Sequence, residues 1–146
     1  MAETLGSLVD KLTIKNIRLQ NLRKERRKSK KKIDIVESQR KDLIDEVNQF
    51  LARALRGKVK LREEKVKLYR QRKAEEKITG GLGDLVDRLC QRNLQLWYLE
   101  DEARRSDVSD AYIGRIKRNI DIANQSRNDL IDRIDELLEK KIKKLK

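Results

Sequence analysis

The chain carries one helical unit twice, and the order of the copies sets what it can fold into. Residues 5–22, LGSLVDKLTIKNIRLQNL, match residues 82–99, LGDLVDRLCQRNLQLWYL, at 9 of 18 positions. Residues 33–51, IDIVESQRKDLIDEVNQFL, match residues 120–138, IDIANQSRNDLIDRIDELL, at 9 of 19. The segments run A, B, A′, B′, so the duplication is in tandem and each copy is a pair of arms. The offset is 77 residues for the A arms and 87 for the B arms, so the second copy holds ten extra residues between its arms.

Each arm reads as an amphipathic helix. Arm A starts at Thr4, an N-cap residue type, and repeats Leu5, Leu8, Leu12, Leu19 and Leu22 at heptad-like spacing with Asn16 beside the seam. Arm A′ has Leu82, Leu85, Leu89, Leu96 and Leu99, with Asn93 at the equivalent place. Arm B uses Val36, Leu43, Val47 and Phe50 with Arg40 in the seam; arm B′ uses Ile113, Ile116, Ile120, Ala123, Leu130, Ile134 and Leu137 with Arg127 there.

Between A′ and B′ the run Ser106-Asp107-Val108-Ser109-Asp110 is rich in capping residues, which predicts a turn centred near 108.5 and an antiparallel hairpin. In the first copy the same symmetry centres the turn near 26.5, inside RKERRKSKKK, where we expect a short turn around Lys28 to Lys30 with Ser29 capping arm B. An uninterrupted helix is the alternative. Beyond Phe50 the apolar pattern continues through Leu55, Val59, Leu61, Val66, Leu68 and Tyr69 to Gly80-Gly81. Gly57 alone costs only about 1 kcal/mol within a helix, so arm B is expected to run for roughly 45 residues, about 70 Å.

The expected fold is therefore all-α: two tandem antiparallel helical hairpins forming an elongated four-helix bundle or coiled coil, linked by a long basic helix. Residues 1–55 form the first, degenerate hairpin, 56–81 the basic linker, and 82–146 the second hairpin with a basic tail. A chain with 43% charged residues, five aromatics and no proline suits long helices with a narrow core.

Composition also bounds the chemistry. With no histidine and one cysteine, Cys90, the chain lacks a His/Cys metal cluster, a Cys-His dyad and an internal disulfide. No apolar run approaches the roughly 20 residues that cross a bilayer, and the N-terminal residues lack a basic-then-apolar signal order; a cytoplasmic location is the expectation. The net charge of +13 is uneven. Residues 1–77 hold 24 Lys/Arg against 12 Asp/Glu, residues 78–139 hold 9 against 13, and 140–146 add five lysines.

The second copy carries three polar words: WYLEDEARR at 97–105, IKRNID at 116–121 and NQSRNDLI at 124–131. In these it resembles an uncharacterised bacterial helical domain associated with glycosyltransferase and envelope-polysaccharide genes, over about residues 82–138. The resemblance implies a bacterial, cytoplasmic setting and supplies no reaction. The first copy departs where the words fall: Trp97 aligns with Gln20, Glu100 with Arg23, Asp101 with Lys24, Asn124 with Glu37 and Asn128 with Lys41. Any site is thus expected in the second hairpin.

Candidate binding residues are Trp97, Glu100, Asp101, Arg104, Asn124, Arg127 and Asn128, since an aromatic platform beside carboxylates can hold a sugar or nucleotide. The bland alternative is a tryptophan capping the core, with Glu100 bridging Lys117. Two polar pairs survive in both copies, Asp10 with Arg40 and Asp87 with Arg127. In a hairpin centred at 108.5, Arg127 lies opposite Cys90 and within reach of Asp87, which predicts an interhelical ion pair fixing register. Asn93 facing Asn124 would add a polar layer to the seam. Arg23, Lys24, Arg26, Arg27, Lys28, Lys30, Lys31 and Lys32 form a candidate polyanion site; lacking aromatic partners, such binding would be salt-sensitive and indifferent to sequence.

Asp129, Asp132 and Asp135 raise a Mg²⁺-dependent nucleotide pyrophosphohydrolase as an alternative, but their three-residue steps drift around the helix. No catalytic residue, metal or cofactor is assigned. The expected function is a non-enzymatic interaction or scaffold protein, accessory to envelope-glycan synthesis, with a protein partner or a second copy as its target. Head-to-tail electrostatic self-association is one mode, and the tail with Ile142 and Leu145 reads equally as the last turn of arm B′ or as a weak membrane-surface helix.

Overall fold

The computed structural model describes residues 3–62 and 78–145. They form four helices, α1 (Leu5–Lys24), α2 (Lys30–Leu55), α3 (Leu82–Ala103) and α4 (Asp110–Leu145), with no strand among the described residues. The all-α expectation holds. α1 pairs with α2 and α3 with α4, and α1 also packs on both helices of the second hairpin.

Local signals set the ends. Thr4 accepts from the Ser7 N–H while the Ser7 hydroxyl accepts from the Thr4 N–H at 2.9 Å, a reciprocal cap on α1. Ser29 Oγ accepts from the Lys32 N–H and starts α2, so the first copy does turn, between Lys24 and Lys30. The uninterrupted helix is excluded. Ser109 Oγ accepts from the Tyr112 N–H at 3.1 Å and starts α4. Asp84 reaches back to the Gly81 N–H at 2.9 Å and starts α3, putting a carboxylate at the positive end of the helix dipole.

One expectation fails at the end of α2. The helix stops at Leu55 because Gly57 adopts φ 71°, a left-handed conformation that costs glycine little. Gly57 N–H then bonds the Ala54 carbonyl and Lys58 N–H the Arg53 carbonyl, which together satisfy the last turn. The glycine is a stop signal here and not a tolerated interior residue. Val59 and Leu61 pack against the main core, so residues 56–62 do not prolong the helix. Val66, Leu68 and Tyr69 of the expected basic helix lie outside the described residues.

The core divides in two. The main cluster joins both hairpins through Leu5, Leu8, Leu43, Phe50, Ala54, Leu85, Leu89, Leu130, Ile131, Ile134 and Ile142. Leu85, Leu89 and Ile134 are fully enclosed, each contributing about 1.5–3 kcal/mol by the area it withdraws from water. A smaller cluster, Leu96, Leu99, Ile116 and Ala123, belongs to α3 and α4 alone and lies towards their turn. Most seam residues are where periodicity put them; Leu82, at the first residue of α3, is exposed instead.

The hairpins meet closely at Gly6. Its N–H, one of the four without a partner inside α1, donates to Asp135 Oδ1 of α4 at 2.7 Å in a buried position. A Cβ on Gly6 would lie 2.5 Å from the Ile131 carbonyl oxygen and 2.9 Å from Asp135 Oδ1. Its counterpart Gly83 faces open space, with nothing within 4 Å. Gly6→Ala is therefore expected to destabilise by about 1–3 kcal/mol through overpacking, whereas Gly83→Ala is neutral or stabilises by up to about 1 kcal/mol. Urea denaturation followed by circular dichroism checks the pair; equal effects would contradict this docking.

Candidate functional site

A polar layer closes the main core. Asn93, 5% exposed, donates from Nδ2 to Asp10 Oδ1 at 2.9 Å and to Thr13 Oγ1 at 2.7 Å, while Thr13 Oγ1 donates to the Asp10 carbonyl at 2.8 Å. The layer thus ties α1 to α3. Together with Gly6 against α4, it shows that α1 runs parallel to α3, so both hairpin turns lie at the same end of the bundle.

Beyond this layer a cleft of about 240 Å³ opens between the hairpins. α3 lines it with Asn93, Leu96, Trp97, Glu100, Asp101 and Arg104, α4 with Asn124 and Arg127, and α1 with Ile14 and Arg18. Asn93, Trp97, Glu100 and Arg104 step by four, three and four residues, which keeps them on one helical face. Six of the seven candidate binding residues converge here. Asn128 does not; one residue past Arg127 turns the side chain by about 100° around α4. Ile14 and Arg18 were not singled out from sequence, because the A-arm pattern shows a helix but not which outer residues meet the other copy.

The electrostatics are mixed. Arg18 on α1 is exposed and makes no ion pair among the described residues. Arg104 reaches Asp101 at 3.3 Å across exposed side chains. Arg127 is half-buried, and its Nε is shut off from solvent with no hydrogen-bond partner. Glu100 and Asn124 make no side-chain hydrogen bond among the described residues, and Trp97 is half-buried. At the nearby end of α3, Tyr98 donates to Glu102 at 2.8 Å and Arg105 grips both Glu102 and Asp107. The Tyr98 hydroxyl, with Arg105, lowers the Glu102 carboxyl, and Glu102 in turn raises the Tyr98 phenol.

Several expected contacts are made differently. Asp87 is exposed and accepts from Gln91 at 3.0 Å, so the Asp87–Arg127 ion pair does not form: one turn along α3 the carboxylate faces outward, while Arg127 lines the cleft. Asp10 is taken by Asn93 of the other copy and not by Arg40, whose Nε is likewise buried and unpartnered. Asn93 shares the cleft wall with Asn124 but bonds α1 instead. Glu100 does not bridge Lys117. The register itself is as expected: Arg92 Nε donates to Ser126 Oγ at 2.8 Å, one residue from the partner a centre at 108.5 implies.

In the first copy, the residues aligned with Glu100 and Asn124 are Arg23 and Glu37, and these form an ion pair with each other. The polar face left open in the second hairpin is tied shut there. The other cations of that turn, Lys24, Arg26, Arg27, Lys28, Lys30, Lys31 and Lys32, are exposed and make no ion pair among the described residues. No group of three His, Cys, Asp or Glu among the described residues is placed to hold a metal ion. Asp135 serves Gly6. No described helix is long and apolar enough to cross a membrane. A cleft of about 370 Å³ lies at the opposite end, lined by Glu3, Leu8, Phe50, Val59 and Lys60 among others.

Residues 83–146 match the model of a family described as a protein of unknown function, DUF4254. The match spans nearly all of α3 and all of α4, and so includes the Trp97, Asn124 and Arg127 walls of the cleft but not Arg18. No curated protein and no solved structure matches the chain.

Trp97 is the only tryptophan, so its fluorescence reads this cleft alone. With Arg18, Arg104 and Arg127 around it, iodide is expected to quench it more strongly than caesium, with the difference shrinking as salt screens the arginines. Equal quenching at low salt would contradict the assigned surroundings.

Proposed function

We propose that this chain is a non-enzymatic helical binding module, and that the cleft between its two hairpins is the working surface. The observation that carries the reading is the cleft wall itself. It gathers Arg18 from one copy with Trp97, Asn124 and Arg127 from the other around one concave space. A concave space on which an aromatic ring and several polar side chains converge has the usual make-up of a ligand site. An occupant touching Arg18 and Arg127 would clamp the hairpins together, which gives the duplicated architecture a use. A scaffold role in the cytoplasm, accessory to envelope-glycan synthesis, fits the resemblance of the second hairpin and belongs to the same proposal.

The test is a thermal-shift screen of the full chain against a library of polar metabolites. A ligand at ten times its Kd adds about 1.4 kcal/mol, or roughly 3–6 °C in Tm for a chain of this size. At least one compound is expected to give such a shift in the wild type and to lose it in Arg18→Ala. A screen without hits, or hits indifferent to that variant, contradicts the proposal.

The basic turn supports a second reading, sequence-independent polyanion binding. Seven exposed cations without ion-pair partners among the described residues cluster between residues 24 and 32. Duplexes of unrelated sequence should then bind with equal affinity, weakening by orders of magnitude between 50 and 200 mM salt. Salt-independent binding measured by fluorescence anisotropy would contradict this reading.

A further inference from the structure

Resting on the cleft as a binding site, we infer that its ligand is a small phosphorylated sugar. The phosphate lies between Arg18 and Arg127, the ring rests on Trp97, and the hydroxyls donate to Glu100, Asn124 and Asn93.

The donor and acceptor inventory carries the assignment. Arg18 and Arg127 come from different hairpins, line the same cleft and have no carboxylate partner among the described residues. Two unpaired guanidinium groups facing one space favour an oxyanion between them, and their planar forks suit phosphate oxygens. The opposite chemistry fills the rest of the wall. Glu100 can only accept hydrogen bonds, and Asn93 has committed both Nδ2 hydrogens to Asp10 and Thr13, which leaves its Oδ1 as an acceptor. Asn124 adds an amide with no partner among the described residues. The site therefore asks for a ligand that is anionic at one end and a donor of several hydroxyl hydrogen bonds at the other, with an apolar face for Trp97.

A polyphosphate chain has no donors for the acceptors, and an aromatic or fatty acid has too few. A phosphorylated sugar supplies all three features. The volume of about 240 Å³ falls below the roughly 300–1,000 Å³ of drug-sized sites, which fits one ring with its phosphate better than a dinucleotide. The first hairpin lacks this set. Arg40 repeats the buried, unpartnered Nε, but Gln20 replaces the tryptophan, and Arg23 and Glu37 neutralise each other where Glu100 and Asn124 have no side-chain partner among the described residues.

Trp97 fluorescence tests the inference on the full chain at constant ionic strength. The probes are inorganic phosphate, glucose, glucose 1-phosphate and uridine 5′-monophosphate. A saturable change is expected with at least one of the two phosphorylated sugars, at least tenfold tighter than with phosphate or glucose alone, and the tighter arm separates a free hexose phosphate from a nucleotide. Arg18→Ala, a change at an exposed position, should weaken that binding at least fivefold without altering the melting temperature; Asn124→Ala should do the same from the opposite wall. Phosphate binding as tightly as the phosphorylated sugars, or no response to either of them, overturns the ligand class. In that case a thermal-shift hit of other chemistry that Arg18→Ala abolishes leaves the cleft reading standing, whereas a screen without hits removes both.

Discussion

The arrangement of the four helices depends on how closely α1 approaches the second hairpin, and that approach is limited at Gly6. A side chain there would strike the α4 backbone at Ile131 and the Asp135 carboxylate. Without one, the helix terminus seats against α4 and the Gly6 N–H is satisfied by Asp135. A carboxylate at the positive end of α1 is electrostatically favourable as well as a hydrogen-bond partner. Once α1 is fixed at this point and runs parallel to α3, Asp10 and Thr13 come level with Asn93, and the next turns bring Ile14 and Arg18 to Trp97. The cleft is a consequence of that seating.

The two similar halves of the sequence make an asymmetric molecule. Gly6 and Gly83 occupy equivalent positions, yet only the first is crowded. Asn16 and Asn93 are equivalent too. Asn93 is buried and binds across to α1, while Asn16 is exposed and donates to the Leu12 carbonyl of its own helix. The partner chosen by Gly6, Asp135, aligns with Asn48 in the first copy. Divergence at a few polar positions has let one copy supply the docking element and the other the open polar face. The Arg23–Glu37 pair in the first hairpin removes the groups that remain unpaired in the second.

The sequence made the helices, their pairing and most of the core legible, because leucine and isoleucine periodicity reports which face is buried. Thr4, Ser29 and Ser109 marked helix starts for the same reason that they cap them. The end of α2 was not legible. Gly57 is compatible with either a tolerated interior glycine or a left-handed stop, and the difference lies in whether Lys58 and Gly57 can close bonds to Arg53 and Ala54. Convergence of the polar words from 97 to 127 was readable from hairpin register alone. The expected Asp87–Arg127 and Asp10–Arg40 pairs were not made, because register sets which residues are level and not which way each faces. Arg18 and Asp10 acquire their roles only through contact between copies, which no single hairpin pattern encodes.

The central claim is that the two copies share one polar layer and hence one cleft. A double-mutant cycle between Asp10 and Asn93 measures this most directly, using Asp10→Ala, Asn93→Ala and the double variant in denaturant unfolding. A buried hydrogen bond between residues of different hairpins predicts a coupling energy of about 1 kcal/mol or more. Effects that add to within about 0.3 kcal/mol would mean that Asp10 and Asn93 do not meet, and the hairpins would then not enclose the cleft described.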